Sequence, residues 1–98
     1  MSAAADDIRH ESGERDGAFY IEREGRRVAQ LTYRMAGADA MVDHTWVEPN
    51  LRGRGDALRL VDAAVEWARR EHVKLVPACS YVRAVFARTP AYADVRKT

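Results

Sequence analysis

The sequence predicts an α/β fold of the α+β kind: a mainly antiparallel mixed sheet, one long helix packed on it and a short C-terminal helix. Three observations predict it. Apolar and polar residues alternate in the runs between Ala18 and Val47, the period of half-buried strands. The period becomes helical after Gly55. A further β-branched run and a second short helical pattern follow, so the order is three or four strands, helix, strand, helix.

Taken in order, residues 1 to 7 (Met-Ser-Ala-Ala-Ala-Asp-Asp) read as a frayed end. Ala18-Phe19-Tyr20-Ile21 is aromatic and β-branched and predicts a strand, which Glu24-Gly25-Arg26-Arg27 turns into a hairpin. From Val28 to Met35 the polar Gln30, Thr32 and Arg34 alternate with apolar residues. Ala36-Gly37-Ala38-Asp39 is the next turn, and Ala40 to Val47 alternates again until Pro49 ends ladder pairing. On that alternation His44 shares a face with Val42 and Trp46. Leu58, Val61, Ala64, Val65 and Ala68 then recur at helical spacing over about four turns. Val73 to Pro77 is a short strand that a right-handed crossover returns to the sheet beside the meander. Tyr81 to Arg88 predicts a second helix, stopped at Thr89-Pro90 because the residue before proline disfavours helical geometry.

The chain of 98 residues suffices for one hydrophobic core, so a single domain over residues 1–98 is expected. No apolar run approaches the ~18 residues of a membrane span, and the polar, acidic start carries no secretory pattern, so a cytoplasmic protein is expected. Cys79 is the only cysteine, which excludes an intrachain disulfide. The three histidines are scattered and no carboxylate cluster has ligand spacing, so no metal site is predicted; His10 and His72 read as surface residues. Trp46 and Trp67 read as core. The net charge of +1 hides an asymmetry: residues 1 to 50 carry 6 basic and 10 acidic side chains, residues 51 to 98 carry 10 and 5. Fourteen of the 16 basic residues are arginine, whose fork suits phosphate.

Chemistry concentrates at Arg52-Gly53-Arg54-Gly55-Asp56-Ala57, between an extended segment and the long helix. A strand that runs through a glycine turn into a helix aims backbone N–H groups at one spot, at the positive end of the helix dipole. Glycines let a ligand come close, and Arg52 and Arg54 add donors. Asp56 stands against an anion there; as an N-cap it would stabilise the helix by roughly 0.5–2 kcal/mol.

Arg52, Gly55 and Ala57 fit the pattern Arg/Gln-x-x-Gly-x-Gly/Ala, His44-Thr45-Trp46-Val47 precedes it, and Pro77-Ala78-Cys79-Ser80-Tyr81-Val82 follows the long helix. In this order the three motifs, within residues 18 to 94, resemble the GCN5-related N-acetyltransferases, and among them a minimal single-domain subgroup with His-Thr-x-Val and Pro-x-Cys-x-Tyr-Val motifs. The resemblance implies an acyl-CoA N-acyltransferase-like fold, acetyl-CoA as cosubstrate and an amine acceptor. It implies that the loop from Arg52 to Ala57 binds the pyrophosphate and that Thr45, Trp46 and Val47 lie beside the thioester, with Val47 as the backbone donor to its carbonyl. Cys79 is then a covalent acetyl carrier, a proton donor to the leaving thiolate, or a small buried hydrophobe. His44 is a candidate general base or a structural histidine, and Tyr81 a candidate proton donor or a packing aromatic. Arg88-Thr89-Pro90-Ala91-Tyr92 resembles the subgroup's Arg-His-Pro-Glu-Tyr but lacks its histidine and glutamate, so roles at those two positions do not carry over. Asp56 occupies a position usually apolar in the family.

The short segment between Ile21 and Val28 has no room for the helices that wall the acceptor site in longer members, so the acceptor cleft is expected to be open. An open cleft favours an amine on a macromolecule, such as a protein lysine, over a small metabolite. The alternative function is a coenzyme A-binding module without turnover. Nucleic-acid binding through Arg52, Arg54, Arg59, Arg69 and Arg70 is disfavoured by the near-neutral total charge. Oligomeric state is left open.

Overall fold

The computed structural model describes residues 8–97; the expected frayed segment 1–7 lies outside them. A five-stranded sheet, in spatial order β1-β2-β3-β4-β5, is formed by β1 (Ile8–Ser12), β2 (Asp16–Arg23), β3 (Arg26–Ala36), β4 (Asp39–Val47) and β5 (Lys74–Pro77). The first four strands pair antiparallel, and β5 lies parallel to β4 after the crossover through α1 (Asp56–Glu71). Helix α2 (Ser80–Ala87) follows β5, and short 3₁₀ turns occupy Pro49–Leu51 and Pro90–Tyr92. The mixed sheet and two helices are the predicted fold class, with β1 as a strand that the alternation did not reveal.

Turn chemistry sets the meander. Glu24 and Gly25 both have positive φ (54° and 74°), the two-residue turn whose twist matches a hairpin. At Gly17 a side chain is excluded by neighbours: a Cβ there would collide with the Tyr33 phenol and lie 2.7 Å from the Glu11 carbonyl oxygen. The phenol fills that space and is 2.6 Å from His10 Nε2. The imidazole stacks on Phe19 with centroids 4.1 Å apart and meets Trp67 edge-on, so β1 is held by an aromatic cluster as well as by its ladder. His10 is thus exposed in part but structurally engaged, whereas His72 is exposed and ends α1 in the left-handed conformation (φ 57°).

One face of the sheet, with Phe19, Ile21, Leu31, Tyr33, Ala40 and Val42, shares a single buried cluster with Leu60, Val61, Ala64, Val65 and Ala68 of α1 and Val82, Val85 and Phe86 of α2. A helix of 16 residues is marginal in water, so this burial, at about 1.5–3 kcal/mol for each large aliphatic side chain, decides that α1 forms. The predicted stripe is corrected at its first member: Leu58 is 41% exposed, and Leu60 takes the core position, because it sits one helical turn before the buried Ala64 and shares its face.

The opposite face is uncovered, with Gln30, Thr32, Trp46 half-buried and Arg34, Met41 and His44 exposed. Here the alternation prediction fails. Thr32 pairs with His44 but Tyr33 pairs with Val42, so Asp43 is an extra residue in β4. The bulge moves every later side chain to the other face. Val42 points into the core, while His44 and Trp46 lie on the outer face, not on Val42's, and Trp46 is not part of the core. The Asp43 side chain at the bulge is held by Thr32, whose hydroxyl donates to Asp43 Oδ1 at 2.7 Å. Trp67 packs against the core as expected.

Candidate functional site

The bulge also opens the site. β4 and β5 remain paired only from Asp39–Lys74 to Val42–Pro77, and the Ala78 and Cys79 N–H groups both donate to the Val42 carbonyl (3.0 and 2.9 Å), closing the ladder. Beyond that point the strands part. Glu48 N–H donates to Val28 on β3, so by antiparallel alternation Trp46 and His44 also turn their backbone groups to β3. Thr45 and Val47 therefore aim theirs away from β3, toward the gap. Two contacts agree: the Val47 carbonyl accepts from Arg52 Nε at 3.2 Å, and the Thr45 N–H faces the Cys79 sulfur.

The gap is a cleft of about 520 Å³, walled by His44 to Val47, by Leu51, Arg52, Gly53 and Gly55 to Leu58, and by Tyr81. It unites residues from all three sequence motifs. Gly53 (φ 83°) and Gly55 (φ 84°) both occupy the left-handed region, which only glycine enters without strain, and this lets the loop fold back so that the first turn of α1 faces the cleft. Gly55 is the N-cap and no side chain caps the helix, so the N–H groups of Asp56, Ala57 and Leu58 have no intrahelical acceptor. The predicted capping role of Asp56 is therefore corrected: it is the first helical residue. Its carboxylate, 5% exposed, turns aside to Arg59 (3.0 Å) and Arg23 (3.5 Å). Both oxygens being engaged by guanidinium groups, the charge that would oppose an anion in the cleft is locally compensated.

Leu51 and Leu58 are wall residues that the motifs did not single out. Both flank the glycine loop, and that position is the signal that marks them; helical periodicity assigns Leu58 to the core instead.

Tyr81 lies at the cleft's other wall, half-buried. Burial pushes its phenol up; Arg88 opposes and Asp62 adds to this, so it stays protonated at neutral pH. His44 is exposed on the cleft wall. Cys79 is not on the wall. It is half-buried behind Thr45, its Sγ 3.4 Å from the Thr45 hydroxyl. Burial alone would raise its thiol, but the Thr45 hydroxyl and the N–H groups of Val82, Tyr81 and Thr45 outweigh it and hold the thiol below its ordinary value. The two α2 N–H groups make no cap hydrogen bond to the sulfur, so their dipoles act on it at longer range. Arg54 is exposed on the far side of the loop, in a neighbouring groove. Tyr92 stacks edge-on with Phe86 at 5.7 Å, outside the cleft wall. Among the described residues no cluster of His, Cys, Asp and Glu could hold a metal ion, and no helix is long and apolar enough to cross a membrane.

Residues 18–95 match the family model described as GCN5-related N-acetyl-transferase. Among solved structures, a Staphylococcus aureus protein described as a GCN5-like N-acetyltransferase is 31% identical, with 93% of this chain and 89% of that chain covered and a TM-score of 0.71. The ribosomal-protein-alanine N-acetyltransferase of Brucella melitensis shares the fold at 17% identity and TM-score 0.60, over 78% of this chain and 62% of that one. The Escherichia coli ribosomal-protein-S18-alanine N-acetyltransferase does so at 17% and 0.62, over 81% and 54%. No curated protein sequence matches this chain.

Proposed function

Because the chain belongs to the GCN5-related N-acetyltransferase family, we propose that it is an acyltransferase that transfers the acetyl group of acetyl-CoA to an amine, with a protein lysine as the acceptor, in the cytoplasm. The observation that carries this reading is the meeting, in one cleft, of an uncapped helix N-terminus behind two left-handed glycines with a β4 edge whose Thr45 and Val47 backbone groups have left the sheet ladder. Such an edge and such a helix end suit the two ends of a pantetheine diphosphate.

Bound acetyl-CoA supplies a thioester open to attack by a neutral amine. The loop N–H groups and Arg52 hold the diphosphate, and the Val47 N–H polarises the thioester carbonyl. Tyr81, kept protonated by burial, gives its proton to the departing thiolate. His44, exposed on the β4 side of the cleft, takes the proton that the attacking nitrogen releases. Cys79 acts from behind the wall through Thr45, so transfer is direct and the sulfur positions the strand edge instead of carrying the acetyl group. The uncovered outer face beside His44 carries a long open groove in which Asp16 and Asp43 lie with Arg34, Glu11 being paired with Arg27 at 3.1 Å, and a groove of such mixed charge favours an extended peptide partner over a small neutral metabolite. Incubation with labelled acetyl-CoA and a peptide library is expected to label lysine side chains; labelling confined to free small amines would overturn the acceptor assignment.

Binding without turnover is the second reading. Thr89 and Ala91 favour it, since they replace a histidine and a glutamate beside the 3₁₀ turn Pro90–Tyr92. Calorimetric binding of coenzyme A with no acetylation of any amine would establish it.

A further inference from the structure

The two edges of the sheet differ. At β5 the C-terminal segment covers the edge: the Leu75 N–H donates to the Val95 carbonyl at 2.7 Å, and the Leu75 carbonyl accepts from the Lys97 N–H at 2.8 Å. At β1 no strand lies outside among the described residues. Nor does β1 have a proline or a bulge to blunt it, since it pairs with β2 over all five of its residues without a register shift. The Gly13 N–H donates to the Asp16 carbonyl at 2.7 Å, so by antiparallel alternation Glu11 and Arg9 also turn their backbone groups to β2. Ile8, His10 and Ser12 therefore present their N–H and C=O groups outward. The His10 ring is drawn over the inner face by its stacking on Phe19 and leaves those groups open to a partner.

We infer that this edge pairs antiparallel with the same edge of a second copy of the chain, joining the two sheets about a two-fold axis at His10. Charge selects the register. With His10 opposite His10 of the other copy, Ile8 faces Ser12, and the three outward residues of each copy exchange hydrogen bonds with those of the other. Arg9 then faces Glu11 on both sides of the axis, in the non-hydrogen-bonded pairs where side chains come closest. A two-residue slip sets Arg9 against Arg9 or Glu11 against Glu11, and a one-residue slip sets an outward residue against one whose backbone groups face β2. The Arg9 and Glu11 side chains are 60% and 57% exposed, and their in-chain partners Glu22 (3.8 Å) and Arg27 (3.1 Å) are drawn from the neighbouring strands. The cross-copy pairs thus extend a row of alternating charge, from Glu22 through Arg9 to Glu11 and Arg27 of the other copy. Such a contact is isologous and closes at two chains. Glu11 also lines the outer-face groove that reaches Asp43, so Arg9 of the second copy stands at the rim of that groove.

Sedimentation equilibrium of the full chain from about 10 µM to about 1 mM, a range suited to a small polar interface, tests the pairing. The mean mass is expected to rise from that of one chain, 11.0 kDa, toward twice that value, and salt should suppress the rise. Amide hydrogen exchange over the same range should slow at Ile8, His10 and Ser12, with Arg9 and Glu11 protected throughout. Arg9→Glu and Glu11→Arg each set like charges opposite one another in the self-pair and should raise the midpoint of association about tenfold. An equimolar mixture of the two variants restores opposite charges at both positions and should associate as the unmodified chain does. Ser12→Pro removes an outward N–H that β2 does not use and should leave a folded single chain. A single-chain mass throughout the range overturns the proposal. So does association in which the three outward amides exchange as fast as in dilute solution, or in which the mixed variants gain nothing over either alone.

Discussion

Replacing Asp56 with alanine separates stability from affinity, because the two should move in opposite directions. The carboxylate is 5% exposed, while its partners Arg59 and Arg23 have side chains 25% and 37% exposed. Breaking a fully buried pair costs about 3–5 kcal/mol, but these guanidinium groups regain water when the carboxylate is lost, so the expected cost is nearer 1–2 kcal/mol. Loss of a negative charge from the first turn of α1 is included in that figure. For a domain of this size the melting temperature should fall by roughly 5–15 °C. Affinity should rise, since one negative charge leaves the rim of an anion cradle. At about 6–8 Å and an effective dielectric of about 40–80, a unit charge contributes ~0.5–1.4 kcal/mol, which is a two- to tenfold gain in coenzyme A affinity. Thermal denaturation and calorimetry on the same preparation read both quantities. Lower stability with unchanged or lower affinity would refute the argument that the carboxylate opposes the ligand.

Tyr81→Phe keeps the ring and removes the proton donor, so kcat should fall by about 10²–10⁴ with little change in coenzyme A affinity. Tyr81 works in its protonated form and its folded-state value is raised, so the alkaline limb assigned to it should lie above the ordinary tyrosine range and vanish in the variant. For Cys79, whose thiol is held down by Thr45 and backbone N–H groups, the midpoint of iodoacetamide reactivity against pH should lie below that of a free cysteine. Thr45→Val should move it upward, and an unmoved midpoint would remove Thr45 as a cause. Gly17→Ala drives a methyl group into the Tyr33 phenol and should cost about 1–3 kcal/mol in chemical denaturation, with loss of the His10 contact visible in the imidazole resonances.

Much of the architecture is legible in local pattern. The hairpin at Glu24-Gly25, the alternation of β3 and the helical stripe of α1 each follow from backbone sterics and burial acting over a few residues. So does the anion cradle, since two glycines before an amphipathic helix suffice to leave N–H groups directed at a ligand. β1 was not visible because Ile-Arg-His-Glu-Ser has one half-buried apolar residue; the strand exists through its ladder with β2 and the stacking of His10 on Phe19.

Other features depended on tertiary contact. Alternation through Ala40 to Val47 has no internal mark of the extra residue at Asp43, because apolar side chains occur on both sides of the bulge; only pairing with β3 determines which face His44 and Trp46 take. The place of Asp56 in the loop marks it as the charge at odds with the anion cradle, and Arg59 lies one helical turn on, but the second guanidinium, Arg23, comes from 33 residues away in the chain. The same holds for Cys79: its place just past β5, at the cysteine of the motif, makes it a candidate for the chemistry, and only the fold brings its sulfur to 3.4 Å from the hydroxyl of Thr45, 34 residues earlier. Periodicity and turn chemistry report forces that act within a strand or a helical turn. Which charge meets which, and which thiol reaches the cleft, depends on how those elements are brought together by burial of one common core.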